Sequence, residues 1–382
     1  MLESQTEIIS LLSPSPGTKR ELVIHRYGKT GLGPKVYIQA SLHADEWPGL
    51  MALHHLLPKL DEAAAKGDII GEIIVIPYAN PIGLSQRIGG HVPGRFNFDG
   101  TGNFNRNWAD LTHGAAPLLE GKLSGSVEED ILTVRAAFRE VVATMDRKTE
   151  VGELRAILMS LSCDADHVLD LHCDGEAEMH IYSNIRHQHL TVDMAKDLDA
   201  PVLLLETTAG GGPFDEANSA PWWQLSDLLP EACHLPPACC AVTVELRGRQ
   251  DVDDDLGEKD AAGLMSYLRR CGAVSGSPTP ARQDVLATPL HCTDVLYAPT
   301  AGLVSYKRPL GALIKKGDIV AEIIDPAATH PDEARLPVTA GTDGRFFARI
   351  DQRMVGAGTS IGKIAGTEPL GHRKEGALLE AR

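Results

Sequence analysis

The sequence predicts an α/β fold, with a mostly parallel central sheet flanked by helices and a C-terminal all-β module behind it. Three observations carry that reading. Near-continuous apolar runs recur along the first 250 residues, stretches of helical periodicity separate them, and after the Ser/Pro-rich linker "SGSPTPARQ" (275–283) the pattern changes to short strands with glycine turns. Strands that are apolar on both faces and alternate with helices belong to a parallel sheet covered on both sides. A chain of 382 residues divides naturally into one large and one smaller domain, drawn here at 1–280 and 285–370.

The elements follow in order. Residues 21–27 ("ELVIHRY") and 35–41 ("KVYIQAS") read as strands, the second alternating and rich in β-branched residues. Residues 47–65 read as a helix ended by Gly67, and "EIIVIPYAN" (72–80) is another buried strand. Three more apolar runs come later: "HVLDLH" (167–172), "PVLLLE" (201–206) and "AVTVEL" (241–246). Helical periodicity fits 127–145, 149–162, 188–198 and 255–271. Open parallel sheets bind ligands beyond the carboxyl ends of their strands, and Glu46, His172 and Glu245 stand at or just past such ends.

Composition narrows the function. The formal charge of −16 argues against a nucleic-acid partner, which demands a basic face, and it suits a cationic or zwitterionic substrate or simply a solvated surface. No stretch approaches the roughly 18 apolar residues of a membrane span, and the N-terminus lacks the pattern of a signal peptide. The seven cysteines show no framework spacing and no C-x-x-C, so they read as reduced thiols of a cytoplasmic protein, with a homo-oligomer left open.

"SLHADEWPGL" (41–50) places His43 and Glu46 three residues apart between a strand and a helix, with Trp47 and Pro48 fixing the helix start. A second H-x-x-E, His330 to Glu333, sits in a Pro/Ala/Thr loop without that setting. A catalytic zinc site needs three N/O ligands and one position for water. His172 in "LDLHCD" supplies a third ligand from another strand end, and Asp170, on the same face, orients an imidazole from behind. In "PGRFNFDGTGNFNRNW" (93–108), Arg95, Asn105 and Arg106 occupy a Gly/Asn-rich loop suited to aiming polar groups, where guanidinium groups recognise carboxylates and stabilise oxyanions. Glu245 ends a buried run, where desolvation raises its pKa toward that of a general base. Read as a merely structural carboxylate, it would pair with Arg247 or Arg249.

In this order, His43-x-x-Glu46, Asn80-Pro81, Arg95, Asn105-Arg106, His172 and Glu245 resemble the zinc carboxypeptidase superfamily, and within it the succinylglutamate desuccinylase/aspartoacylase family, over about residues 20–370. "NRNW" and the long charged segment 109–128 depart from the family pattern and leave the substrate open. The resemblance implies one Zn²⁺ bound by His43, Glu46 and His172, with Glu245 activating water and Arg95 polarising the scissile carbonyl. Asn105 and Arg106 would hold the carboxylate of a small N-acyl amino acid. The expected reaction is hydrolysis of a linear amide, that is deacylation, and the alternative is a metallocarboxypeptidase acting on short peptides.

The C-terminal part resembles the half-motifs of a lipoyl/biotinyl-type barrel-sandwich fold. A carrier role would need a modifiable lysine at a hairpin tip, and Lys307, Lys315 and Lys316 lack the neighbours expected there. The module therefore reads as structural or gating. The segment 206–223, with Asp215, Glu216, Trp222 and Trp223, reads equally as a glycine-hinged lid or as a solvated crossover.

Overall fold

A computed structural model describes residues 4–208, 210–330 and 333–373. Met1–Glu3, Ala209 within the 206–223 segment, and Pro331 and Asp332 inside the second H-x-x-E lie outside the described residues. The main sheet has nine strands in the order Gln5–Ser10, Glu21–Gly28, Glu72–Ile76, Lys35–Ala40, His167–Asp174, Cys240–Gly248, His180–Asn184, Val202–Glu206, Leu286–Pro289. Its centre is parallel from Glu72–Ile76 through Cys240–Gly248, and so are its last three strands. The first two strands pair antiparallel, and so do Cys240–Gly248 and His180–Asn184. The sheet is thus mixed around a parallel centre. The antiparallel edge follows from connection length, because residues 11–20 are too few for the helical crossover that a parallel pair needs.

Alternation along each strand sends side chains to two cores. Tyr37, Ile74, Ile76 and Val168 meet helices Leu111–Leu119, Val127–Ala143 and Glu150–Ser162 on one face. Val36, Ile38, Ile73, Val75, Leu169 and Leu171 meet helices Pro48–Lys66, Gln188–Asp197 and Asp254–Arg270 on the other. Helix Pro48–Lys66 closes on Gly67 in the left-handed conformation, φ 76°. It lies so close to the sheet that a Cβ on Gly49 would come within 2.8 Å of Ala40 Cβ.

Beyond the main sheet, two smaller sheets face each other across a core that includes Val304, Val320, Ile323, Phe346, Ile361 and Ile364. One contains Thr293–Tyr297, Ser360–Gly366, Gly344–Arg349 and Leu313–Ile314, and the other Arg335–Thr339, Ile319–Ile324, Gly302–Tyr306 and Met354–Val355. The short strand Glu176–Ala177 pairs with Gly344–Arg349 and so joins this region to the main sheet. Glu178 adds a two-bonded ion pair with Arg345 at 2.6 and 2.7 Å. Leu286–Pro289, which the sequence groups with the module, is the edge strand of the main sheet. All seven cysteines are free. No helix among the described residues is long and apolar enough to cross a membrane.

Candidate active site

The turn that carries His43 and Glu46 is held from several sides. Ser41 leaves strand Lys35–Ala40 in the left-handed region, φ 59°, a conformation unusual outside glycine and typical of functional turns. Asn80 Nδ2 donates to Leu42 O at 2.8 Å while its Oδ1 accepts from Gly83 N. Ala44 N donates to Gly94 O, and a Cβ on Gly94, φ 68°, would come within 2.1 Å of Asp45 N, so only glycine admits this approach. Trp47 Nε1 donates to Ala44 O and Pro48 opens the helix.

His172 lies on strand His167–Asp174 directly opposite Glu245 on Cys240–Gly248, in a parallel register that shifts between Glu245 and Gly248. Such an irregularity locally redirects side chains. The donor atoms of His43, Glu46 and His172 fall within 4.8 Å of one another, and all three residues are buried. His43 Nδ1 is 3.1 Å from Glu46 Oε1, and His172 Nδ1 is 2.7 Å from Glu46 Oε2. Behind them, His43 Nε2 faces Asn103 Oδ1 at 3.0 Å and His172 Nε2 faces Asp170 Oδ2 at 2.8 Å. An acceptor on Nε2 keeps the proton there and turns the lone pair of Nδ1 inward, the arrangement by which histidine ligands are oriented. Two inward nitrogens and one carboxylate form a donor set that fits a catalytic divalent metal. His330 and Glu333 belong to no such cluster among the described residues.

The charges are consistent with this. Burial lowers His43 to about 4, helped by Arg95. Burial also opposes the charge on His172, but Asp170 and Glu46 outweigh it and hold that imidazole well above its ordinary value. Glu46 is held well below the usual carboxylate range because His43 and His172 outweigh its burial. A cation on Nδ1 would take the place of the His172 proton.

His43, Glu46, Arg95, Asn105, Arg106, His172 and Glu245 all line one cavity of about 200 Å³. The buried Oε2 of Glu245 receives no hydrogen bond, and burial followed by the Glu46 carboxylate pushes the carboxyl up to about 8. Arg247 is taken by Asp260 at 2.9 and 2.6 Å, and Arg249 by Asp45 at 3.3 Å, so the structural pairing of Glu245 with either arginine is not formed. Arg95 donates to Glu46 Oε1 at 3.2 Å. Arg106 bonds Asn105 O at 2.6 Å, and its buried Nε has no acceptor. Asn105 differs from expectation. Its Oδ1 already accepts from Phe214 N and Trp108 Nε1, which leaves only its Nδ2 for a ligand.

The catalytic-domain pattern of the succinylglutamate desuccinylase/aspartoacylase family matches residues 32–271. The chain belongs to that family. It is 23% identical over 358 residues, 88% of this chain and 83% of the other, to N-alpha-acetyl-L-2,4-diaminobutyric acid deacetylase of Halomonas elongata. A family protein of Shewanella amazonensis has the same fold with a TM-score of 0.83 at 25% identity, over 94% of this chain and 98% of the other. The product-bound ectoine utilization protein EutE of Ruegeria pomeroyi shares the fold at a TM-score of 0.65 and 18% identity, over 96% and 97% of the two chains.

Other parts of this family member's site escaped the sequence reading. Asp170 also accepts from Gln39 Nε2 at 2.9 Å, and Gln39 Oε1 accepts from Tyr37 OH at 2.6 Å, which makes a buried chain running to His172. Lys363, from the β-region, reaches the cavity and pairs with Asp174 at 2.5 Å. It is a lone charge in "SIGKIAG", and an isolated lysine in an apolar strand was the available signal. The 206–223 segment is not a solvated crossover, since it carries helix Phe214–Ser219 and the start of Pro221–Leu228, buries Phe214 and Trp222 in the core, and lines the cavity with Asp215.

Proposed function

We propose that the protein is a zinc-dependent amidohydrolase that removes the acyl group from a small N-acyl amino acid. The observation that carries this is the convergence of two inward-facing imidazoles and a carboxylate beside Glu245, a buried carboxylate whose Oε2 has no partner. Family membership and the deacetylase activity named for the Halomonas relative support it.

His43, Glu46 and His172 would hold the zinc, which when bound polarises a carbonyl and acidifies water. Glu245 takes one proton from the attacking water and returns it to the departing nitrogen. The C–N bond breaks, leaving the acyl carboxylic acid and the free amine. The raised proton affinity of Glu245 suits it to carry that proton between the two steps. Arg95, at the Glu46 side of the cavity, stabilises negative charge growing on the carbonyl oxygen. Arg106 and the Nδ2 of Asn105 hold the substrate carboxylate. A cavity of about 200 Å³, with Lys363 on its wall, favours a small acylated amino acid over a peptide.

Lys307 and Lys315 are engaged with Glu322 and Asp343, each at 2.8 Å, which gives no support to a carrier role. The test is Glu245→Gln. With zinc content near one per chain and an unchanged melting temperature, kcat on N-acyl amino acids should fall ~10²–10⁴-fold. A folded, zinc-replete variant with normal turnover would remove Glu245 as the base.

A further inference from the structure

Two carboxylates in the same cavity have no part in the chemistry above. Glu206 ends strand Val202–Glu206, Asp215 lies in the first turn of Phe214–Ser219, and both line the cavity with the metal-binding trio. Glu206 is only 6% exposed and Asp215 only 4%. Glu206 Oε2 and Asp215 Oδ1 are buried without a hydrogen-bond partner. Native proteins leave few such oxygens unmatched, because desolvating a carboxylate without a donor is costly.

Their mutual charge adds to the difficulty. Burial first, then Asp215 and Glu216, hold Glu206 well above the usual range, and burial followed by Glu216 carries Asp215 to about 7. Arg106 feels the Asp215 charge, yet its Nε and the Asp215 Oδ1 are both without a partner. Both residues line the cavity, where a group of opposite sign could meet them.

We propose that Glu206 and Asp215 form a subsite for a cationic side chain, so that the preferred substrate is the N-acyl derivative of a short diamino acid. The inference rests on the deacylase reading. A primary ammonium brings three donors and no acceptor, which matches two oxygens that lack donors. The α-carboxylate then lies against Arg106, and the two ends of one amino acid meet adjoining charges of opposite sign. An acidic side chain in that place would meet repulsion from both carboxylates.

The experiment compares the N-α-acetyl derivatives of 2,4-diaminobutyrate and ornithine with those of norvaline and norleucine, their uncharged counterparts of equal size. The zinc-loaded wild type should prefer the diamino member of each pair by at least about 30-fold in kcat/KM, since leaving a buried charge unpaired forfeits that much or more. In Glu206→Gln and Asp215→Asn the ratio should fall toward one, with melting temperatures at or above wild type because a strained buried charge is gone. Equal cleavage of both members by the wild type, or a preference that survives in both variants, overturns the subsite and leaves the deacylase intact. If no N-acyl amino acid is cleaved, the deacylase reading fails on its own, and calorimetry with free diaminobutyrate and ornithine decides the subsite. Binding that Glu206→Gln abolishes upholds it, and absence of binding to the wild type overturns it.

Discussion

Asp170→Asn tests the buried chain behind the metal-binding trio. Asp170 is fully buried, with Oδ2 facing His172 Nε2 at 2.8 Å and Oδ1 accepting from Gln39 Nε2 at 2.9 Å. An asparagine keeps the shape but has one acceptor and one donor group, so either His172 or Gln39 must point a hydrogen at an NH₂. A buried donor left unmet costs about 1–3 kcal/mol. Loss of such a partner behind a histidine ligand typically weakens metal binding about 10–100-fold. A second effect opposes the first. Asp170 also favours the proton on His172, which competes with the metal, so its removal weakens that competition. The competition fades as pH rises, and the deficit in zinc affinity should therefore widen above pH 7. Competition against a chromophoric chelator across pH 6.5–8.5, alongside melting temperature with and without zinc, measures both parts. Gln39→Leu, one step further out, should lose less. A folded Asp170→Asn protein whose zinc affinity stays within about two-fold of wild type at every pH would refute the proposed alignment of His172.

Arg106→Ala should mainly raise KM and Arg95→Ala mainly lower kcat, because the first meets a carboxylate present in the ground state and the second a charge that grows in the transition state; reversed effects would exchange the roles. His180 and His187 are buried and lowered to about 4, chiefly by burial. With the unfolded value near 6.5, the unfolded chain binds more protons between pH 4 and 6.5, so their contribution to stability is lost as pH falls through that window, at up to about 1.4 kcal/mol per unit for each group. Melting temperature followed from pH 7 to 4.5 in wild type and His187→Asn should show a shallower fall in the variant, and identical slopes would contradict it. Lys363→Met removes the cation that lowers Glu245, so the acidic limb of kcat/KM should move to higher pH, with a stability loss of about 1.5–3 kcal/mol from the unmatched Asp174; an unmoved limb would separate Lys363 from the base.

The centre of the fold was legible because strands buried on both faces must be apolar throughout, as Glu72–Ile76 and Val202–Glu206 are. The edge was not. Gln5–Ser10 is half exposed and mostly polar, and it becomes a strand only because Glu21–Gly28 pairs along its full length. Helices Leu111–Leu119 and Pro221–Leu228 were hidden by Gly114, Pro117 and Pro221, residues that ordinarily signal loops; here Pro221 opens its helix, Gly114 packs against Val141, and Pro117 stands exposed near the end of its helix. In the site, His43, Glu46, His172 and Glu245 could be found because each is a charged or ligating group where an apolar run ends. The same rule applied to "VLLLE" would have found Glu206, a carboxylate ending a buried strand as Glu245 does. Asn103 and Lys363 had no comparable setting, since each acquires its partner from a segment 60 or 189 positions away.

The charges that line the cavity explain why these distant segments meet there. Glu46, Asp174, Glu206, Asp215 and Glu245 oppose Arg95, Arg106, Lys363 and the protonated His172, an excess of one negative charge if all are ionised. The protein by itself cannot sustain that excess in a buried space, and the consequence is visible in Glu206, Asp215 and Glu245, all of which are driven toward their protonated forms. A divalent cation on His43, Glu46 and His172 would offset the excess and return Glu245 toward the ionised state that a base requires. An acylated diamino acid, with one carboxylate and one ammonium, would add no net charge. It would, however, separate its charges in the sense the cavity asks for, the negative end at Arg106 and the positive end at Glu206 and Asp215. A dicarboxylic substrate would reopen the imbalance that the metal had closed, and the electrostatics of the cavity therefore argue for the diamino acid on the same grounds as they argue for the metal.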